Sequence, residues 1–199
     1  VTHIPKVTKE HNIQQELDLS AIGDDTDLDL NSAADTDDLQ AVEVQIEKIA
    51  ERQRQITAML QIPQPVEQVW KVLTDYEALV DFVPNLTKSR LLEHPQGGIR
   101  LEQVGSGRFV GLNFCARVVL DLEEYFPKEI NFRMVEGDFK DFSGSWLLQP
   151  DSLDHQKATH LCYTVKVWPK RTMPVGIIER RLSNDMRLNL LAIRQRASE

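Results

Sequence analysis

"VEQVWKVLTDYEALVDFVPNL", residues 66–86, holds more large apolar side chains than one short surface helix can use. Pro65 stands where a first helical residue would sit. Val66, Val69, Trp70 and Leu73 follow at i, i+3, i+4 and i+7, a spacing that predicts a two-turn amphipathic helix. Thr74 and Glu77 have the spacing of a capping box, so a second short helix carrying Leu79, Val80, Phe82 and Val83 is expected, stopped by Pro84. Helices this apolar must cover something, and the flanking sequence says what.

On the N-terminal side, "AVEVQIEKI" (41–49) places Val42, Val44 and Ile46 on one face, and "RQITAMLQI" (54–62) continues with Ile56, Ala58, Leu60 and Ile62. Alternation of this kind predicts half-buried strands, joined as one long hairpin. Beyond Pro84 the spacing predicts antiparallel strands at roughly 85–94, 98–105, 111–125, 129–137, 141–150 and 157–168, separated by the turn signals "HPQGG", "GSGRFVG", "FPKE", "EGDFKD" and "PDSLDHQK". The last segment, "MPVGIIERRLSNDMRLNLLAIRQRA", returns to helical spacing, with Val175, Ile178, Leu182, Met186, Leu190 and Ile193 on one stripe. The expected fold class is α+β: a curved antiparallel sheet of about six to seven strands wrapped round a long C-terminal helix.

Alternation also assigns the inward faces: Phe114, Ala116, Val118, Leu120 and Leu122; Ile130, Phe132 and Met134; Phe142, Gly144, Trp146 and Leu148; Leu161, Tyr163, Val165 and Val167. The set is almost wholly apolar. An ordinary core explains each residue singly, but a curved sheet round one helix encloses more space than one helix stripe fills, and such sheets often hold a small ligand. The second short helix is then the natural lid.

Charge separates a tail from this domain. Residues 1–40 carry ten acidic side chains against Lys6 and Lys9, which accounts for the whole net charge of −8. With few large apolar residues, this acidic segment is expected to be mostly disordered, leaving a domain at 41–199. Asp25, Asp27 and Asp29 alternate as in a calcium loop, but Leu30 sits where the loop needs Gly and Thr36 where it needs Glu. The balanced remainder has little general attraction for phosphate, so nucleic-acid binding gets no support. The absence of a long apolar run and of an apolar leader makes a cytoplasmic protein the expectation. Cys115 and Cys162, far apart and without metal-ligand spacing, read as two reduced thiols.

Residues 66–86, preceded by "ITAMLQIP" and followed far downstream by the amphipathic helix, resemble the polyketide cyclase/dehydrase and lipid-transport superfamily, also called START-like. The resemblance covers roughly residues 42–196 and is strongest to coenzyme Q-binding START-domain proteins. "VEGDFKDFSGSW" and "LDLEEYFP" resemble a subgroup from photosynthetic bacteria and chloroplasts. The resemblance implies a helix-grip fold with a hydrophobic cavity between sheet and helix, used in different branches for quinones, lipids, sterols or polyketides, with chemistry only in the aromatase/cyclase branch. No cofactor is implied.

Few catalytic groups are expected inside: Tyr163 is the one inward phenol, while His160 and Arg117 fall on the outward parity. "GSGRFVG" (105–111) is spaced GxGxxxG with no helix after it, and reads as a flexible turn rather than a dinucleotide loop. The expected function is binding and shuttling or presentation of an isoprenoid quinone or other lipid, non-catalytic. A polyketide cyclase and a protein-interaction module with a filled core are the alternatives. The expected cavity residues are Phe82, Val83, Phe114, Phe132, Met134, Trp146, Tyr163, Ile178, Leu182 and Met186. Arg180, Arg181, Arg187 and Arg194 are expected to form a basic surface that contacts a membrane or partner.

Overall fold

The computed structural model describes residues 36–109, 112–153 and 156–199. Eight strands form one antiparallel sheet: β1 (Glu43–Ala50), β2 (Gln53–Ile62), β3 (Leu86–Leu92), β4 (Ile99–Phe109), β5 (Leu112–Tyr125), β6 (Glu129–Gly137), β7 (Asp141–Leu153) and β8 (Gln156–Trp168). Their spatial order is β1-β2-β8-β7-β6-β5-β4-β3, so every neighbour except β2–β8 is joined by a short connection along the chain. The helices are α1 (Thr36–Gln40), α2 (Val66–Thr74) and α3 (Val175–Ala197). The α+β class holds, and the sheet has eight strands where about six to seven were expected.

The 23-residue α3 lies against the concave side of the sheet and is tied at both ends. Arg54 Nε donates to Glu179 at 2.6 Å near its start, and Gln68 Nε2 donates to the Ala197 carbonyl at 2.5 Å at its end. α2 matches its sequence reading, burying Val66, Val69, Trp70 and Leu73. Among the described residues no helix is long and apolar enough to cross a membrane.

Several sequence expectations are corrected. The segment assigned to the disordered tail ends in helix α1, whose Leu39 packs against the core beside the buried Val42, while residues 1–35 lie outside the described residues. Burial of Leu39 and an ion pair from Asp38 to Arg194 at 2.6 Å give this short helix a reason to order. β1 is an edge strand on which Val44 packs against the core as expected, while Ile46 and the remaining residues are exposed. The capping box does not form. Thr74 donates back to the Trp70 carbonyl at 3.0 Å, and Glu77 accepts the Leu91 N–H instead. The chain then makes a single 3-10 turn, Ala78–Asp81, rather than an α-helix. "GSGRFVG" and "PDSLDHQK" are mostly strand, since β4 runs to Phe109 and β7 to Leu153.

Glu102, 4% exposed on β4, is the most enclosed carboxylate of the sheet's outer face and is surrounded by cations. Lys88 lies at 2.7 Å, Arg117 at 2.6 Å and Arg90 at 2.9 Å. Hydrogen bonds from Lys88 and Arg117 hold its carboxyl down at about 2, below the ordinary 4.5. An unfolded chain therefore binds the proton more tightly, so this group's stabilising contribution is present above pH 4.5 and lost as pH falls towards 2. Glu102→Gln is expected to make acid unfolding shallower in that window, as followed by circular dichroism. An unchanged acid profile would count against the cluster as a pH-dependent stabiliser.

Candidate functional site

A cavity of about 200 Å³ lies between the sheet and α3, open to solvent where exposed Asn85 and half-buried Val83, Pro84 and Gly105 border it. Period-two alternation builds its floor, as expected from the sequence: Ala116, Val118, Leu120 and Leu122 from β5, Ile130 and Phe132 from β6, Phe142 and Trp146 from β7 and Tyr163 from β8 all line it. The aromatic rings form a connected row. Phe139 stacks on Phe142 (5.5 Å between centroids), Phe142 meets Phe132 (5.9 Å), Phe132 meets Tyr163 (6.1 Å), and Tyr163 stacks on Trp146 at 3.6 Å with rings nearly parallel. Gly144 permits this arrangement: a Cβ there would lie 2.6 Å from the Phe132 ring tip and would overlap the Thr164 carbonyl oxygen.

Of the expected cavity residues, Val83, Phe132, Trp146, Tyr163, Ile178 and Leu182 border the space. The side chain of Phe114 lies outside the described residues. Three others do not border it. Phe82 points away because the Val83 N–H bonds to the Leu79 carbonyl at 2.9 Å, a turn that stacks Leu79 and Val83 on the cavity side. The Phe82 ring instead lies under the Arg196 guanidinium, 5.8 Å from its centroid. Met134 folds over Gly137, its Sδ 2.7 Å from where a Cβ would stand, next to a register shift that leaves Val135 exposed. Met186 is buried in the core on an adjoining face of α3.

The face of α3 turned to the cavity is offset from its apolar stripe, which brings in polar groups that the sequence reading placed outside. Ile178, Arg181, Leu182, Asp185, Asn189 and Ile193 line the space. Arg181 is thus no membrane-facing residue. It is 7% exposed, donates from Nε to Asp185 at 2.8 Å and from Nη2 to the Ser106 carbonyl at 3.2 Å. Its guanidinium rests directly on Gly107, where any Cβ would overlap Nη2, so the glycine of "GSGRFVG" serves this close approach and not a turn. Asn85, at φ 62°, donates to the other oxygen of Asp185 at 3.0 Å and accepts the Ser106 N–H on its carbonyl, joining the lid to β4 and α3 at the mouth.

The remaining arginines form no common basic face either. Arg187 donates to the Val42 carbonyl at 3.0 Å, Arg194 pairs with Asp38, and Arg180 is exposed with interactions of its own. The physical reason is the ordered α1 segment, which takes up the cations on that side of α3. Arg117 stays on the outer face with Glu102 and Glu136, and His160 does not reach the cavity, as the strand parity implied.

Burial raises the proton affinity of Asp185 against the opposing pull of Arg181 and Asn85, and burial likewise raises that of Tyr163. A raised carboxyl works in the opposite sense to Glu102: its contribution to stability falls as pH rises through its folded value. Gly107→Val must expel the guanidinium from Asp185. Losing a charge-assisted hydrogen bond of this kind costs roughly 1.5–3 kcal/mol. A urea unfolding curve should register that loss, and a variant as stable as the wild type would show that the guanidinium is held by something other than Gly107 and Asp185.

A single antiparallel sheet curved over one long helix, with a cavity between them, defines a helix-grip α+β protein. More particularly, the chain belongs to the polyketide cyclase/dehydrase and lipid transport family, whose profile matches residues 62–191. Over 100 residues it is 28% identical to the persistence and stress-resistance toxin PasT of an Escherichia coli strain, covering 50% of this chain and 61% of that protein. The chain therefore spans less than two thirds of the length of that curated relative. Zhui aromatase/cyclase from a Streptomyces species is similar at a TM-score of 0.59 with 20% identity, over 73% of this chain and 94% of that one. A STAR-related lipid transfer protein from Xanthomonas axonopodis is similar at 0.57 with 17% identity, over 78% and 99%. At such identities the likeness is one of fold.

Proposed function

We propose that the protein binds a lipophilic small molecule, an isoprenoid quinone or a lipid of similar shape, in the cavity under α3 and carries or presents it without chemical change. The observation that carries this reading is the open, aromatic-floored cavity itself, which an interaction module with a filled core would lack. A volume of about 200 Å³ accommodates a ring or a few isoprene carbons, so the rest of a long tail leaves through the mouth beside Val83 and Asn85. Burial of apolar surface at roughly 25 cal/mol per Å² drives binding, less the ordering of the ligand.

Titration with a short-chain ubiquinone tests this. Saturable one-to-one binding with a negative heat-capacity change is expected, the signature of apolar burial. No heat and no change in tryptophan fluorescence, at any concentration the probe reaches, would overturn it.

A second reading, cyclisation of a polyketide, draws on the acid and phenol that border the cavity, Asp185 and Tyr163. Proton transfer by a positioned acid requires such groups within reach of the substrate. Under that reading Asp185→Asn abolishes turnover of a linear polyketide mimic. Under the carrier reading the wild type itself leaves the mimic unchanged.

A further inference from the structure

We infer, resting on the reading that the cavity holds a quinone, that Tyr163 fixes the polar end of the ligand: its hydroxyl donates to a ring carbonyl oxygen, so the site selects a carbonyl-bearing ring over a hydrocarbon of the same shape. Tyr163 sits on β8 between Ala58 of β2 and Trp146 of β7, and it borders the cavity. Leu161 and Val165, two residues away on the same face of the strand, are fully buried. Alternation therefore turns the phenol into the cavity and not towards solvent.

The hydroxyl is both unpartnered and reachable. Among the described residues it makes no hydrogen bond; its contacts are the rings of Trp146 and Phe132. The side-chain polar atoms that are sealed from all contact without a partner are Arg52 Nε and Asn189 Oδ1. The Tyr163 oxygen is not one of these, so it keeps surface of its own, and on an inward side chain that surface belongs to the cavity. Donors of other side chains around the same space already serve protein acceptors. Tyr76 donates to Glu124, Gln103 to Ser89, Asn85 to Asp185, and Arg181 to Asp185 and the Ser106 carbonyl.

Packing prepares the phenol for this role. Its ring lies flat on Trp146, 3.6 Å between centroids, so the hydroxyl is held in place before a ligand arrives and little ordering is left to oppose binding. Burial, and then the charge of Asp185, raises the proton affinity of the phenol, which stays a neutral donor at physiological pH. A ring carbonyl offers lone pairs to that donor. A hydrocarbon of the same shape covers the hydroxyl and leaves it unmatched, with its desolvation uncompensated.

The test titrates duroquinone and durene, the same methylated ring with and without carbonyl oxygens, into the wild type and Tyr163→Phe. The substitution keeps a ring on Trp146, and durene binding reports that the cavity is intact. The ratio of the two affinities cancels whatever the substitution does to folding and to apolar contact. It is expected to move about tenfold against duroquinone in Tyr163→Phe, as loss of one hydrogen bond to a buried donor implies. In the infrared, the carbonyl stretch of bound duroquinone is expected at lower wavenumber in the wild type than in the variant, a shift that a merely structural tyrosine would not produce. A wild type that takes durene but not duroquinone, a ratio the substitution leaves unchanged, or a carbonyl band at one position in both proteins overturns the assignment to Tyr163 and leaves the carrier reading standing. Failure of both compounds and of short-chain ubiquinone to bind the wild type overturns both.

Discussion

Replacing Ala116 with tryptophan is expected to abolish ligand uptake while the sheet still forms. Ala116 sits on β5 opposite Gly105 of β4, half-buried, with its methyl group bordering the cavity. Both residues of the pair are small, so this part of the floor is open by virtue of what their side chains lack. An indole projected from Ala116 takes up much of a space of about 200 Å³ and leaves no room for a ring between the sheet and Leu182. Overpacking of this kind costs typically about 1–3 kcal/mol, which a domain of this size tolerates. The expected outcome is a melting temperature lowered by several degrees together with loss of short-chain ubiquinone binding by at least about 100-fold, a change of roughly 2.7 kcal/mol. Binding at wild-type strength in a folded Ala116→Trp protein would place the ligand somewhere other than under α3.

Gly144→Val has the larger effect on stability. Gly144 pairs with Val165 of β8 on one side and Phe132 of β6 on the other, and a Cβ there would overlap the Thr164 carbonyl oxygen and lie 2.6 Å from Phe132 Cζ. The Phe132 ring can turn aside, but the Thr164 oxygen belongs to the backbone and moves only if the ladder opens. Clashes that no rotamer relieves fall among the substitutions costing more than about 4 kcal/mol, here enough to leave the protein largely unfolded or insoluble. Urea unfolding measures it. A variant within about 1 kcal/mol of the wild type would mean that β7 shifts its register freely, contrary to the close packing of Phe132 over Gly144.

These two residues show which parts of the molecule the sequence discloses. Strand parity identifies the cavity floor because period two leaves only two choices per strand, and one of them is apolar on β5, β6, β7 and β8. α2 is equally legible, since Pro65 and four apolar residues at helical spacing admit one reading. The lid is less so. Thr74 and Glu77 have the right spacing for a cap, yet each finds a different partner once β3 is in place, and the resulting 3-10 turn carries Phe82 away from the space that Leu79 and Val83 cover.

The polar part of the site is hidden for another reason. Charged residues on an amphipathic helix are normally solvated, so Arg181 and Asp185 read as surface when α3 is drawn alone. Their burial depends on the four-residue spacing that pairs them and on Gly107, a strand glycine distant in sequence that gives the guanidinium its place. The available signal was a glycine pair inside a stretch with strand-like neighbours. Glycine in a strand interior often marks a close approach rather than a turn. Likewise, Arg187 and Arg194 look available until the end of the acidic segment orders as α1 and engages them.

The most direct measurement is native mass spectrometry of the protein isolated gently from its own cells without detergent, followed by organic extraction of the material it holds. The account predicts a single stoichiometric lipophilic adduct, retained by the wild type and missing from Ala116→Trp. A clean ligand-free mass, unchanged after incubation with a short-chain ubiquinone, would contradict it.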